Sequence, residues 1–344
     1  MLEEFNKNKL EKNIELINND VFSEFVKQTF YHRSNKFGKI FTDLYPHTSI
    51  DIGGGKILSV EIANIITKAN LAKNFKKYES LGIDAVALTV NQLVAKGFEP
   101  INVSVNIILD KDDNYAVKEI MKGVVKASKE AEIVILKGKK NVESENVNNL
   151  HITSMAMGVT YKDSLIKNEK IKSGDFIIGA EDYGLDTKAF EYAKRILSKR
   201  YDIGTYIKEL NATLWEELLN PHTIYVKPIM EIMEYSKING LLYMDSGFSK
   251  LINLCKKANI GFEINLPKHI RPIFKLIQHH GILNDKEMFK NFNMGFGLLV
   301  FVPGSDPEYC ERVKDVLKKY KINHEVIGSV VPSKKVVVNG VEIE

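Results

Sequence analysis

The segment Asp51-Ile52-Gly53-Gly54-Gly55-Lys56 gathers residue types that handle phosphate. Gly53, Gly54 and Gly55 lack a Cβ, so their backbone N–H groups can approach an anion closely. Lys56 adds positive charge. Residues 56–80 read as one long amphipathic helix, whose positive N-terminal end would face the same anion. Asp51 could hold a magnesium ion that bridges phosphates. The order differs from the G-x-x-x-x-G-K-[ST] loop. The same residues also read as a plain glycine turn between strand and helix, with Asp51 as a cap. A second candidate is His279-His280, which would suggest metal or proton chemistry. Adjacent helical residues point apart. The pair precedes Gly281, where histidine suits a helix C-terminus, so a helix end is the better reading. The basic stretch 191–204 reads as a solvated helix face.

The elements that would position these residues alternate along the chain. A short strand is expected at 49–52, and a helix over 82–97 closed by Gly97. A strand follows at 99–109, a helix at 114–131, and strands at 132–138 and 149–162. A turn and strand at 170–182 open a second domain, and a helix follows at 187–200. Residues 220–238 run from extended chain into a helix. Then come a helix after Gly247, a strand at 261–267, a helix at 268–281, a strand at 294–303 and a helix at 306–322. A terminal hairpin turns at Asn339-Gly340. The expected class is α+β, an α/β-type two-domain chain with sheets covered by helices.

Bulk properties agree. A chain of 344 residues exceeds one ordinary core, which predicts two domains. It is 44% hydrophobic and 27% charged, values of a soluble globular protein. The net charge of +4 gives no reason to invoke nucleic acid or an anionic membrane as partner. The N-terminus has no apolar signal region, and no run is long enough to cross a membrane, so cytoplasm is expected. Cys255 and Cys310 lack any metal-ligand spacing and read as buried free thiols.

Four stretches carry a resemblance: GIDAVALTVNQLVAKGFEP (82–100), GDFIIGAEDYGLDTKAFEYAKRIL (174–197), LLNPHTIYVKPIMEIM (218–233) and KEMFKNFNMGFGLLVFVP (286–303). Together they resemble the AIR synthase family, the phosphoribosylformylglycinamidine cyclo-ligases of purine synthesis, in consistent order from about Phe37 onward. The resemblance implies a PurM-like fold. Residues 1–167 would form the ATP-binding, dimerising N-terminal domain, whose sheet pairs with that of a second subunit into a barrel. Residues 168–344 would form the C-terminal α/β domain. It also implies a homodimer, ATP and Mg2+ as cofactors, and formylglycinamidine ribonucleotide as the small-molecule nucleotide substrate. Asp51 would be the surviving magnesium carboxylate and a catalytic residue, joined by Asn91. Gly53, Gly54, Gly55 and Lys56 would bind the cofactor. Glu287 and Asn293 lie in a segment that the family places by the active cleft.

The chain departs from the family pattern at ligand-facing positions. Ile52 replaces a glycine, Gly55 a threonine and Gln92 an aspartate. Lys139 or Lys140 stands where the family has glutamate, with Glu143 or Glu145 as possible compensation. Asp186 replaces histidine, Lys188 asparagine, Ala189 glycine and Thr223 arginine. Lysines at 139, 140 and 188 would let an anion bind without magnesium. These changes leave two alternatives to the cyclo-ligase. One is a catalytically degenerate paralogue, a binding or scaffold subunit that pairs with itself or forms a heteromer with an intact paralogue. The other is a superfamily member with a different ATP-dependent substrate.

Overall fold

The computed structural model describes residues 40–42, 48–143 and 150–343. The polar N-terminal stretch, Phe37 and Glu145 lie outside the described residues. In chain order the first unit contains β1 (Ile40–Thr42), β2 (Thr48–Gly53), β3 (Lys56–Ile65), α1 (Thr67–Phe75), α2 (Glu79–Val94), β4 (Glu99–Leu109), α3 (Asn114–Ala131), β5 (Val134–Val142) and β6 (His151–Tyr161). Its six-stranded sheet has the order β1-β2-β3-β6-β4-β5. Only β4 and β5 run parallel, joined by α3, as a parallel pair requires.

Residues 56–65 are a strand, not the start of a helix. Gly53 pairs with Lys56, and Gly54 and Gly55 take φ of +62° and +74°. That is a two-residue hairpin turn with both central residues left-handed, which glycine adopts without strain. Ile57, Ser59, Ala63 and Ile65 of β3 face the core, while Val60 and Ile62 stand exposed on the other side. Because both faces are apolar, the strand does not alternate cleanly in sequence, and that is why it read as a helix.

Helices α2 and α3 cover one face of the sheet. They cross at Gly82 and Gly123, where the backbones nearly touch. A Cβ added at Gly82 would lie 2.0 Å from the Ile120 carbonyl oxygen, and one at Gly123 would lie 1.9 Å from that of Glu79. Val94 ends α2, and Gly97 at φ +84° lets the Phe98 N–H reach back to the Leu93 carbonyl. The opposite face has no helix over it among the described residues. Val60 and Ile62 of β3, Met155 of β6, and Val134 and Leu136 of β5 are exposed there.

The second unit contains β7 (Phe176–Glu181), α4 (Thr187–Leu197), the short pair β8 (Tyr206–Ile207) and β9 (Ala212–Thr213), α5 (Leu214–Leu218), α6 (Val226–Tyr235), β10 (Gly240–Tyr243), α7 (Ser249–Ala258), β11 (Gly261–Ile264), α8 (Pro272–Gly281), α9 (Asp285–Asn291), β12 (Phe296–Val302), α10 (Pro307–Lys319), β13 (His324–Val331), β14 (Val336–Val338) and β15 (Val341–Ile343). Its seven-stranded sheet has the order β10-β12-β7-β13-β11-β14-β15. Strand β12 is buried throughout. Leu298, Val300 and Val302 pack with Tyr225, Ile229, Val313 and Leu317, from α10, α6 and the residue before α6. Leu299 and Phe301 join the other core, with Phe190, Phe262 and Phe274. Helices on both faces explain the continuous apolar run. Asn339-Gly340 makes the β14–β15 turn, with φ of +48° and +79°.

Cys255 and Cys310 are free and buried. His279 and His280 occupy the last turn of α8, and His280 Nε2 lies 2.9 Å from the Tyr201 hydroxyl. No described helix is long and apolar enough to cross a membrane.

Candidate functional site

The hairpin presents its residues to solvent. Asp51 Oδ1 accepts from the Gly53 N–H at 2.8 Å. A Cβ added at Gly54 or Gly55 would meet nothing within 4 Å, so an incoming group can approach their backbone. Lys56 Nζ sits 5.5 Å from the Tyr161 ring centroid. No helix begins behind the turn, so the expected helix dipole makes no contribution to an anion held there.

Asn91 lies elsewhere, buried on α2. Its amide donates to the Thr223 carbonyl at 2.8 Å, and its Oδ1 accepts from the Tyr225 N–H at 3.0 Å. Both ends of the side chain are thus spent on the second unit. The residue positions the segment before α6. Gln92 beside it is half-buried.

Lys139, Lys140 and Lys188 are separated. In the sheet register, Lys139 pairs with Asn106, Asn106 with Thr153, and Thr153 with Asn64. That row crosses β3 at the far end from the hairpin. Lys140 donates to Asp112 at 2.7 Å and Asn114 at 3.1 Å. Lys188 is exposed in the first turn of α4. Within one chain, Asp51 and Lys56 are not brought together with Lys139 or Lys140. Glu287 forms a capping box with Asn284 at the start of α9. Asn293 accepts from the Gly295 N–H at 3.0 Å and donates to the Met244 carbonyl at 3.2 Å.

A second constellation, not read from the sequence, sits between the two units. Lys68, at the start of α1, donates to Asp84 Oδ2 at 2.7 Å and to the Asn220 carbonyl at 3.0 Å. The other Asp84 oxygen accepts from the His222 N–H at 2.8 Å. His222 Nδ1 lies 2.7 Å from Asp182 Oδ2. Asp182 Oδ1 accepts from the N–H groups of Thr223 at 2.9 Å and Gly184 at 3.1 Å. Gly184 must be glycine, because a Cβ would lie 2.5 Å from the imidazole. Arg271 fixes the loop by donating to the Tyr183 carbonyl at 2.8 Å and to that of Asp182 at 3.1 Å.

Burial works against charge on this pair, but Asp182 and Asp84 hold the His222 pKa above its ordinary value. Burial likewise opposes charge on Asp182, yet His222 and two backbone N–H groups keep its carboxyl below the usual range. Each partner thus favours the charged form of the other. Asp186 caps α4 by accepting from the Ala189 N–H at 3.0 Å. Burial raises its carboxyl to about 6. One sequence signal pointed here. Asp84 lies in the apolar run Gly82–Leu88, on a helix face that must be buried, and a buried acid needs partners. The partners themselves lie 16 and 138 residues away, where no local spacing reveals them.

Residues 47–160 match the family model for the N-terminal domain of AIR synthase related proteins, and residues 172–341 match that for the C-terminal domain. The chain belongs to the AIR synthase family. It is 33% identical over 303 residues to the phosphoribosylformylglycinamidine cyclo-ligase of Pyrococcus furiosus, covering 88% of each chain. It is 32% identical over 316 residues to that of Pyrococcus horikoshii, covering 89% of this chain and 88% of the relative. A solved structure of AaThiL complexed with AMPPCP and TMP shares the fold, with a TM-score of 0.63 at 16% identity and 94% of each chain covered. The two-domain, PurM-like architecture implied by the motifs is the one found. His222 directly precedes Thr223.

Proposed function

We propose that the chain is an ATP-dependent cyclo-ligase of the AIR synthase type, closing the ring of formylglycinamidine ribonucleotide to give aminoimidazole ribonucleotide. The observation that carries this reading is the identity of 33% over 88% of a relative so named. The motif-derived boundary near 167/168 and a cytoplasmic location go with it.

The residues at the hairpin fit ATP in part. The open backbone of Gly54 and Gly55 and the charge of Lys56 suit phosphate oxygens, while the Gly53 N–H is already taken by Asp51. Among the described residues no group of three or more His, Cys, Asp or Glu could hold a metal. Magnesium usually takes one or two carboxylates and the rest of its ligands from phosphates and water, so Asp51 fits an ion carried in by the nucleotide. Bound there, magnesium would neutralise charge on the phosphoryl group. Lys56 would bind the phosphates, and Asp51 would orient them. Asn91 acts by holding Thr223 and Tyr225, so the second domain keeps its place beside α2.

The reading includes a homodimer. The uncovered face of the first sheet exposes Val60, Ile62, Met155, Val134 and Leu136. A second copy of the same face, meeting it sheet to sheet, would bury that row and bring one subunit's hairpin toward the other's β5. The test is ATP titration with and without magnesium, followed by an assay of ring closure and ADP release. Product formation is expected. Asp51→Asn should lower kcat by about 10²-fold, as for loss of one phosphate-site charge. ATP binding with no product in the unmodified chain would overturn the ligase reading.

A further inference from the structure

A cavity of about 480 Å³ opens at one end of the second sheet, where β7 stops and β12 and β13 begin. That size suits a small molecule. Every residue lining it belongs to the second unit, and none to the hairpin. Part of the wall is the segment before α8, with Pro267, Ile270 and Arg271, and part is the turn from α10 into β13. The charge there is unbalanced. Three lysines sit where α10 ends, and Lys319 is spent on Glu231 at 2.8 Å. Lys318 and Lys321 line the cavity, and neither ammonium has a partner among the described residues. Of the two acids in the lining, Glu181 accepts from the Asn323 amide at 2.6 Å, which leaves Glu325 as the uncommitted one. The Arg271 side chain is only 10% exposed. Its terminal nitrogens are used on the Asp182 and Tyr183 carbonyls and on Glu217, while its Nε–H has no partner among the described residues. A guanidinium fixed in this way, with one donor left over beside two unpaired ammonium groups, suits an anion. Pro267 and Ile270, both half-buried, add apolar surface next to these cations.

We infer that this cavity binds a phosphate monoester, its phosphate received by Arg271, Lys318 and Lys321 and its organic part laid against Pro267 and Ile270. A dianion suits the site better than a single carboxylate, because three cationic groups stand against one uncommitted acid. The apolar surface favours an ester over free phosphate, since only the ester has a body to cover it. Arg271 also holds the Asp182 and Tyr183 carbonyls, so a ligand seated against it braces the loop that carries the partner of His222. The site is distinct from the hairpin and stands whether or not the chain is a cyclo-ligase.

The test is calorimetric titration of the full chain with phenyl phosphate, inorganic phosphate and benzoate. Phenyl phosphate is expected to bind with a Kd of about 1 mM or below, and about tenfold more tightly than either of the others. Charge reversal of both exposed lysines, Lys318→Glu with Lys321→Glu, should weaken phenyl phosphate by about tenfold or more. Lys56→Glu, at the hairpin, should leave that affinity unchanged. No binding of phenyl phosphate to the unmodified chain up to about 10 mM overturns the inference, and this arm decides even if the double variant folds poorly. A folded double variant with unchanged affinity overturns it as well. So does a loss on Lys56→Glu alone, which would place the ligand at the hairpin. Inorganic phosphate or benzoate binding as tightly as phenyl phosphate would overturn the assignment to a monoester.

Discussion

Asn91 and Asp186 both occupy positions where a ligand contact was expected, and both are turned inward. Asn91→Ala would leave the Thr223 carbonyl and the Tyr225 N–H without partners at a buried joint. A loss of about 3 kcal/mol is expected in urea denaturation, the sum of two unsatisfied groups. Asp186 raises a question of pH. Its folded pKa of about 6 lies above the ordinary 3.8, so between those values the folded chain binds more protons than the unfolded one. Stability from this group is therefore full below the lower value and lost as pH rises through the upper one. Asp186→Asn keeps the helix cap and removes the charge. Relative to the unmodified chain, the variant should gain about 2 kcal/mol on going from about pH 4 to about pH 8. A difference that does not change with pH would show that this carboxyl is not the one titrating. At this scale the sequence named few of the final partners. It marked Asp51 and Lys56 by local spacing, but the Lys68–Asp84–His222–Asp182 set is assembled only by folding.

Most elements could be read from local pattern because their boundaries carry chemical signals. Strand β4 and helix α3 fall at the expected residues, and Gly97 ends α2 as a left-handed glycine should. Strand β3 failed for a physical reason. A strand that hides one face in the core and keeps the other apolar for a partner loses its period of two. The misreading and the exposed row of Val60 and Ile62 thus share one cause. The crossing of α2 and α3 gives the prediction at this scale. Gly82→Ala would drive a methyl group into the Ile120 carbonyl, whose oxygen lies 2.0 Å from where the new Cβ would sit. The helices would have to separate, and a loss of about 3 kcal/mol is expected in thermal or urea unfolding. Ordinary stability in that variant would mean that the close approach relaxes without cost.

For the whole molecule, the first sheet is covered by described helices on one side only, and the apolar row on its other face favours self-association. Ile62→Lys places a charge in the middle of the bare face. Sedimentation should give twice the chain mass for the unmodified protein and the single-chain mass for the variant. Equal masses would remove the sheet-to-sheet dimer. The second sheet has a different consequence. Its first-made strand, β7, lies between β12 and β13, which are made much later. During synthesis β7 emerges with both edges unpaired and stays so until residues 296–331 follow. At ordinary ribosome speeds that wait is on the order of ten seconds. Two open edges invite pairing with other chains, so chains truncated before Phe296 are expected to aggregate where chains extending through Val331 do not.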